Sequence, residues 1–321
     1  MCGSAVLRPT AFLESPMRRP MSFELLALVL SLLIGGNAFA QFGADAPADG
    51  NRLVQIDAVF PTAKIVPGRT ALLGVRFRIA PKWHIYWRNP GESGTEPRIK
   101  LELPNGFKAG PVVWPRPVIH ASEWETTFGY DGEAMLFVPI TAPPEIEAKT
   151  VRIGIEADWL VCKEMCLMGA GKTSIELAVA APDEKIAPEP ADPTSACARG
   201  LALIPTPLEK APGTIAQLVL ADGRPALRIE GPTGGAEKIT FIPDLTPGVT
   251  LRNGVLVPAT IAGDRYRILV PLEIKPGNSA GKALEVAGLV LFGNNRLDPA
   301  VAIRIPLKPR SDQTGSDLTG Q

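Results

Sequence analysis

Proline and glycine recur throughout this chain, and they exclude long helices over most of its length. The 321 residues include 33 prolines and 31 glycines, together about a fifth of the chain, against roughly 12% in an average protein. Between them lie short segments in which apolar and polar side chains alternate, as they do in half-buried strands. The combination predicts an all-β protein of many short strands joined by tight turns.

The first block of predicted strands occupies residues 51–180 and is expected to form a β-sandwich. Turn sequences such as Pro67-Gly68 and Asn89-Pro90-Gly91 separate its strands. The predicted strands are Leu53–Phe60, Thr70–Ile79, Ile99–Leu103, Ala134–Ile140, Thr150–Ala157 and Ser174–Ala180.

A second β-rich, sandwich-like domain is predicted at residues 212–308, after a Pro- and Ala-rich linker at 181–211. The linker contains a short predicted helix at Thr194–Ile204, and residues 309–321 are predicted to be a disordered tail. Asp222-Gly223 is a strong hairpin signal between the first two strands of this domain. The predicted strands are Ile215–Leu220, Ala226–Glu230, Val255–Ile261, Tyr266–Leu272, Leu284–Phe292 and Ala300–Leu307.

Residues 1–40 are predicted to be a secretory signal peptide. Arg18 and Arg19 precede an apolar run, Phe23–Gly36, of about 14 residues, which is shorter than the roughly 20 residues of a membrane-spanning helix. The run ends at Ala38-Phe39-Ala40, a small-x-small site that predicts cleavage after Ala40.

The start of translation is expected at Met17 or Met21, because the residues before them lack signal character, and residues 41–50 form a polar linker. Export predicts a periplasmic protein in an oxidising compartment, where disulfides persist. The 33 basic and 33 acidic residues cancel, so no electrostatic feature indicates a nucleic-acid partner.

Two cysteines separated by three residues, Cys162 and Cys166, carry the most chemical information. A static disulfide is one interpretation, but it closes a loop of about five residues. Such a loop is worth roughly 2 kcal/mol in the chain-entropy model, against about 4.7 kcal/mol for a hundred-residue loop. The remaining mature cysteine, Cys197, is expected to be a small buried apolar residue, with a free thiol or an intermolecular bridge as the alternative.

Thiol–disulfide exchange is a second interpretation of the pair, and it needs no cofactor. One thiolate attacks a partner, and a second thiol nearby resolves the mixed disulfide. Lys163 favours the thiolate, whereas Glu164 opposes it. The two histidines, His84 and His120, lack the flanking residues of a cysteine hydrolase, so proteolysis is not indicated.

Copper binding is a third interpretation. Cys162, Met165, Cys166 and Met168 place two thiolates and two thioethers within seven positions, a soft ligand set suited to Cu(I). A closed zinc site would need a second Cys or His pair, which the segment lacks. Packing beside the cysteines is the alternative role for the two methionines.

Aromatic residues concentrate ahead of the cysteine pair, and most are expected in the core of the sandwich. The segment Trp114–Tyr130, however, is rich in proline and contains no predicted strand. Long loops in compact domains are usually functional. Trp87, Trp124, Phe128 and Tyr130 are therefore candidates for a covering loop that shields the thiols.

Three segments resemble a known family: residues 83–94 (WHIYWRNPGESG), 128–133 (FGYDGE) and 159–166 (WLVCKEMC). They are similar to the exported N-terminal region of the DsbD/ScsB thiol:disulfide interchange proteins, and most similar to the ScsB-like branch. The resemblance is specific over residues 51–180 and looser over 193–308. It implies an immunoglobulin-like sandwich in which Cys162 and Cys166 are the redox-active pair.

The resemblance also implies partners. In the family, the pair receives electrons from a membrane domain and passes them to periplasmic thiol proteins. The partners expected here are a separate, membrane-embedded DsbD/CcdA-like electron donor and a periplasmic thioredoxin-fold or disulfide-bearing client. Protein-disulfide reductase activity is expected only together with the membrane partner.

Overall fold

The computed structural model describes residues 49–307, except residues 63, 182–183, 185–194, 247, 252–253 and 275–284. The predicted signal peptide, most of the 41–50 linker, part of the 181–211 linker and the 309–321 tail lie outside the described residues. No helix within the described part of the chain has the length and apolarity of a membrane span.

The described chain is almost entirely β-structure, so the all-β prediction is confirmed. A short helix, α1 (Gly50–Leu53), precedes the first strands; helix α2 (Ala196–Leu201) lies between the two sets, and a 3₁₀ turn (Leu208–Lys210) follows the first strand of the second set. The first set comprises β1 (Val54–Val59), β2 (Lys64–Ile65), β3 (Thr70–Ile79), β4 (His84–Gly91), β5 (Arg98–Glu102), β6 (Lys108–Ala109), β7 (Val118–Ala121), β8 (Thr126–Asp131), β9 (Glu133–Thr141), β10 (Thr150–Cys162) and β11 (Cys166–Val179). The second set comprises β12 (Thr206–Pro207), β13 (Ile215–Ala221), β14 (Arg224–Pro232), β15 (Ile239–Pro243), β16 (Val249–Leu251), β17 (Val257–Pro258), β18 (Thr260–Ala262), β19 (Arg265–Ile274), β20 (Glu285–Phe292) and β21 (Ala300–Pro306).

The first sandwich packs two sheets against each other. One has the strand order β1-β3-β9-β6, and the other has the order β2-β11-β10-β4-β8-β7, with β5 pairing beside β4 on β10. Alternate residues of β10 point into the core, among them Ile153 and Trp159, and the Trp159 ring meets Phe77 of the opposite sheet edge to face at 5.9 Å. Each large apolar side chain buried here contributes about 1.5–3 kcal/mol.

Strands β10 and β11 form one long hairpin, and its register is unbroken from Thr150 opposite Ala178 to Cys162 opposite Cys166. The inner face of the hairpin is apolar and anchors it in the core, while the tip carries the two cysteines. The side chains on the outer face alternate with those of the inner face, as strand geometry requires.

The second sandwich also consists of two sheets, ordered β12-β21-β20-β15-β17 and β13-β14-β19-β16, with β18 beside β19. Its core includes Phe241, Ile268 and Val290. The predicted hairpin turn at Asp222-Gly223 is confirmed: both residues have a positive φ, 50° and 72°, as a two-residue turn between twisted strands requires.

The two sandwiches share an apolar junction. Ile242 of β15 and Leu289 and Leu291 of β20 point away from the second core and belong to the core cluster of the first sandwich. Because these two strands are covered on both sides, nearly all of their residues are buried. The sheet that contains them is thus the middle layer between the two cores.

Polar contacts fix the same junction. The buried Arg116 side chain donates to the carbonyl oxygens of Asn295, Asp298 and Gly293 at 2.6, 2.8 and 3.1 Å. The buried Asn89 side chain donates from Nδ2 to the carbonyl oxygen of Pro243 at 2.7 Å. Each bond to the charged guanidinium contributes about 1.5–3 kcal/mol net.

Arg88 adds an ion pair with Asp244 at the junction. Burial raises the pKa of the Asp244 carboxyl, and the nearby Arg88 guanidinium opposes that rise. The conspicuous Trp-Arg-Asn-Pro-Gly sequence at residues 87–91 therefore holds the second sandwich against the first. Its polar residues do not contact the cysteines.

Several elements of the fold differ from the predictions, among them β10 and β11, which extend to the cysteines, and β15 and β16, which were not predicted. His84–Gly91 is a strand, β4, and the segment Trp114–Tyr130 that was predicted as a loop contains the β7–β8 hairpin. Ser122 closes the turn of that hairpin by accepting hydrogen bonds from the backbone of Trp124 and Glu125 at 3.2 and 3.1 Å. The predicted strand Val255–Ile261 is divided into β17 and β18 beyond Pro258, whose nitrogen has no hydrogen to donate.

Candidate functional site: a cysteine pair at a hairpin tip

The last residue of β10 and the first residue of β11 are the two cysteines, and they form a disulfide. Lys163, Glu164 and Met165 make the intervening loop, in which the amide of Lys163 donates to the carbonyl of Met165 at 3.2 Å. The Cα atoms of Cys162 and Cys166 lie 4.2 Å apart, close to the roughly 4.5 Å of a pair in which neither residue hydrogen-bonds to the other.

The two sulfur-bearing residues differ in exposure. Cys162 is buried, with 3% of its surface accessible, whereas Cys166 is exposed. This follows from the strand positions, because Cys162 lies between two paired strands and Cys166 lies on the outer strand of the hairpin. Of the two residues, Cys166 is therefore the more accessible to solvent.

Strand register places polar side chains in line with the pair. Cys166 lies opposite Cys162, which lies opposite His84, which in turn lies opposite Asp131, on four neighbouring strands. Directly opposed residues project from the same face of a sheet. The disulfide thus belongs to a continuous row, with His84 and Asp131, on the outer face of the first sandwich.

Tyr86 lies two residues beyond His84 on β4 and projects from the same face. Its hydroxyl oxygen is 3.7 Å from the sulfur of Cys166, and because a disulfide sulfur carries no hydrogen, the hydroxyl is the donor. Burial raises the pKa of Tyr86, so the phenol keeps its proton at neutral pH. Gly94, at φ 98°, leaves room for the ring: a Cβ there would lie 2.2 Å from it.

His84 and His120 are the chain's two histidines, and their rings stack with a centroid separation of 4.6 Å. Burial, and then the neighbouring His120, lower the pKa of His84 to about 4. Burial also lowers the pKa of His120, so both rings are neutral near pH 7. They line an open cavity of about 580 Å³ together with Trp124, Glu125 and Lys163.

The charges at the hairpin tip offset each other. The Lys163 ammonium lies 3.3 Å from the carboxylate of Glu164, and both side chains are largely exposed. An exposed pair of this kind is worth about 0–1 kcal/mol. Lys163, predicted to favour the thiolate, and Glu164, predicted to oppose it, are therefore joined in one ion pair.

Three of the four predicted shielding residues lie in the core. Trp87 and Phe128 meet edge to face at 6.4 Å and are fully buried, and the hydroxyl of buried Tyr130 donates to the carbonyl of Pro115 at 2.9 Å. Trp124 differs, because it is 90% exposed in the β7–β8 turn and lines the cavity next to His84. The shielding role stays a prediction, and Trp124 is the residue placed to test it.

The two methionines of the cysteine segment are exposed, Met165 at 61% and Met168 at 81%. Cys197, in contrast, is buried with Met135 and Phe137 against β9, as the sequence predicted for a small apolar residue. Within the described ranges, no group of three or more His, Cys, Asp and Glu side chains is arranged to hold a metal ion.

The disulfide lies at the tip of a hairpin in an immunoglobulin-like sandwich, the arrangement that the resemblance to thiol:disulfide interchange proteins implies. Residues 50–178 match the family model described as thiol:disulfide interchange protein DsbD, N-terminal. This part of the chain is therefore a DsbD/ScsB N-terminal-like domain.

Solved structures extend the likeness. The N-terminal periplasmic domain of ScsB from Proteus mirabilis is 19% identical, with a TM-score of 0.52, over 79% of this chain and 94% of that chain. The match reaches beyond residues 50–178, so the shared fold includes part of the second sandwich.

Two other similar structures have TM-scores of only 0.21 and 11% identity: a protein of unknown function from Porphyromonas gingivalis W83 (79% of this chain, 98% of that chain) and the periplasmic chaperone SfaE (77% and 98%). They carry no argument. A comparison with curated proteins finds no match.

The sequence analysis found the cysteine pair but did not assign Tyr86, His84 or His120 to its surroundings. The available signal was the alternation in residues 84–86: if this segment is a strand, His84 and Tyr86 share a face. The pairing of β4 with β10 and β8 determines which face these side chains occupy and which residues they lie opposite.

Proposed function

We propose that this chain is a periplasmic thiol–disulfide exchange protein. Its Cys162–Cys166 pair relays two electrons from a membrane-embedded DsbD/CcdA-like reductase to a periplasmic thioredoxin-fold or disulfide-bearing client. The family of the first domain supports exchange chemistry, and the predicted export signal supports the compartment. The ScsB domain with the similar fold is itself described as periplasmic.

The observation that carries this proposal is the unequal exposure of the two cysteines. An exchange protein needs one sulfur that a partner can reach and a second that stays close but protected. Exposed Cys166 and buried Cys162 meet these two requirements. A fixed structural bridge would not require that either sulfur be accessible.

Each step of the exchange balances. In the reduced protein, the Cys166 thiolate attacks a client disulfide, which forms a Cys166–client bond and releases one client thiolate. The Cys162 thiolate then attacks the Cys166 sulfur, restores the intramolecular disulfide and releases the second client thiolate. The client gains two electrons and two protons from the pair and the solvent, and the membrane reductase reduces the pair again.

Single cysteine variants test this assignment. With Cys162→Ser, the client stays attached to Cys166 because no second thiol resolves it, so mixed disulfides accumulate. Cys166→Ser leaves only a buried thiol and traps far fewer partners. Non-reducing electrophoresis and mass spectrometry of exported proteins measure the difference; turnover that survives in both variants contradicts the proposal.

The reduction potential of the pair provides an independent measurement. Structural disulfides in exported proteins have potentials below about −300 mV, whereas exchange-active pairs are easier to reduce. We expect a value above that limit from equilibration with glutathione or dithiothreitol buffers. A lower value would favour a fixed bridge in an interaction scaffold.

Copper binding is a second candidate, favoured by the exposure of both methionines. Cys166 and Met168 are two residues apart on β11 and so share its outer face, while Met165 lies in the adjoining loop. Reduction would supply the thiolates of Cys162 and Cys166. Anaerobic Cu(I) titration of the reduced protein tests the site: tight stoichiometric binding that a Met165/Met168 double variant loses supports it, and affinity weaker than micromolar removes it.

A further inference from the structure

None of the strands that the structure describes pairs with the outer edge of β11 along a short stretch that begins at Cys166. Strand β2 pairs with β11 only at its far end, at Ala178 and Val179. Helix α1 covers the middle, where Asn51 accepts a hydrogen bond from the amide of Ala170 at 2.6 Å. Within the described residues, no backbone group outside β10 bonds to the backbone of Cys166.

The direction of the Cys166 backbone groups follows from the hairpin register. In an antiparallel pair, residues alternate between hydrogen-bonded positions, with Cα atoms about 5.5 Å apart, and non-hydrogen-bonded positions about 4.5 Å apart. The 4.2 Å between Cys162 and Cys166 is typical of the second kind. The amide and the carbonyl of Cys166 therefore point away from β10, toward the open edge.

Ala170 confirms this assignment. It lies four residues after Cys166, so its backbone groups point in the same direction, and its amide does bond outward, to Asn51. Gly50 then limits how far the edge stays open, because a Cβ on Gly50 would lie 2.3 Å from the carbonyl oxygen of Met168. The open edge thus runs along β11 from Cys166 to Met168.

We propose that this edge binds the client: an extended, cysteine-bearing segment pairs with the backbone of Cys166 as a short antiparallel strand. The proposal rests on the proposed function, in which Cys166 is the sulfur that meets the client. A client cysteine opposite Cys166 would donate its amide to the Cys166 carbonyl and accept from the Cys166 amide. Its side chain would project from the same face as the Cys166 sulfur.

The geometry of such a pair suits sulfur exchange. Two residues in a hydrogen-bonded antiparallel position have Cα atoms about 5.5 Å apart, and disulfides usually join Cα atoms about 5.5–6 Å apart. Backbone pairing would therefore bring the client cysteine to about the Cα separation of a disulfide, whatever the residues beside it. Exposed Met165 and Met168 lie on either side of Cys166 and supply apolar contacts of little specificity.

The step itself is the one already described. The client disulfide is reduced and the cysteine pair is oxidised, with the mixed Cys166–client disulfide as the intermediate. Edge pairing adds two hydrogen bonds to that intermediate, one from the Cys166 amide and one to the Cys166 carbonyl. They are absent from a mixed disulfide with a thiol that has no peptide backbone.

The test compares three mixed disulfides on Cys166 of the Cys162→Ala variant: with acetyl-Val-Cys-Val-amide, with its Nα-methylcysteine analogue and with 2-mercaptoethanol. Amide hydrogen exchange at Cys166, followed by NMR, should be about two- to tenfold slower with the peptide than with mercaptoethanol, as expected for one added hydrogen bond.

N-methylation should lower the equilibrium constant for mixed-disulfide formation about two- to tenfold, because the donor to the Cys166 carbonyl is lost. The same equilibria in urea correct for intrinsic differences among the thiols.

Equal exchange rates at Cys166 in the peptide and mercaptoethanol adducts, together with no effect of N-methylation, would overturn the edge-pairing proposal. Failure of every thiol to form a mixed disulfide would instead contradict the proposed exchange function. Cys162→Ser serves as a second background if the alanine variant does not fold.

Discussion

The two sandwiches of this molecule have similar architecture but use their polar residues differently. In the first sandwich, Tyr86, His84 and His120 lie on an outer face beside a disulfide. The second sandwich accepts hydrogen bonds and an ion pair from Arg88, Asn89 and Arg116 of the first. The accepting groups are in Pro243, Asp244 and the 293–298 segment. One sandwich holds the disulfide, and the other binds β4 and the residue Arg116 that precedes β7.

This division predicts two separate kinds of variant. Substitutions at the junction should lower the free energy of unfolding and leave the reduction potential of the pair unchanged. Substitutions on the outer face of the first sandwich should change the reduction potential with little loss of stability, or change the stability only at low pH. The predictions below are arranged from the largest expected effect to the smallest.

Arg116→Ala should cause the largest loss of stability, about 3–5 kcal/mol, because three carbonyl oxygens lose their bonds to a buried guanidinium. Arg116→Lys keeps the charge but not the planar, forked donor, so we expect roughly half that loss. Urea unfolding measures both. A potential that shifts together with stability in these variants would show that the two sandwiches are not functionally separate.

Asn89→Ala should lower stability by about 1–3 kcal/mol, because the buried carbonyl of Pro243 and the amide of Gly91 both lose their partner. Asn294 is the matched control: it also makes two hydrogen bonds, to the backbone of Ile119, but it is exposed. Asn294→Ala should therefore cost less than about 1 kcal/mol. Equal losses of stability in the two variants would mean that burial does not determine how much these hydrogen bonds contribute.

His84→Gln should make the protein less sensitive to acid. The pKa of His84 is about 4 in the folded chain and about 6.5 in the unfolded chain, so the unfolded chain binds the proton first as the pH falls. Its contribution to stability is complete above pH 6.5 and is lost between about pH 6.5 and pH 4. Because the ring is partly exposed, we expect the wild type to lose about 1–2 kcal/mol more than the variant over this range.

Urea unfolding of both proteins at pH 7 and at pH 4 gives this difference directly. A wild type and a His84→Gln variant that lose the same stability would contradict the predicted titration. Unfolding at pH 7 also shows whether the glutamine itself is tolerated.

Tyr86→Phe should have the smallest effect. The hydroxyl stabilises the thiolate of the reduced pair more than the disulfide, so its removal should lower the reduction potential by about 10–20 mV, equivalent to roughly 0.5–1 kcal/mol. Tyr266→Phe is the control, because Tyr266 is equally buried but lies in the second core. A shift of the same size in both variants would show that the effect is not local to Cys166.

Local sequence was sufficient to predict the strands that alternate regularly. Thr70–Ile79 was predicted with the observed bounds, because its apolar positions recur with a period of two. Strand β4 was not predicted, since its aromatic residues lack that alternation and Pro90 interrupts it. The β7–β8 hairpin was missed for a related reason: Pro115 and Pro117 precede β7, which is only four residues long.

The cysteine pair could be found from sequence because both residues lie in one short segment. The residues around it could not, because Tyr86 and His120 approach it only through the pairing of β4 with its neighbours. A shift of that register by one residue would bury Tyr86 in the core and expose Trp87 instead. Pairing of this kind is set by tertiary packing, which a single sequence does not display.

The packing of Gly50 against Met168 has a practical consequence for handling the protein. Gly50 packs against Met168, two residues from Cys166, whereas the last described residue, Leu307, follows a strand of the other sandwich. We expect an affinity tag or fluorophore joined close ahead of Asp49 to crowd Cys166. Labels for kinetic work therefore belong after Leu307, and a binder meant to block Cys166 would be best directed at the surface around Gly50.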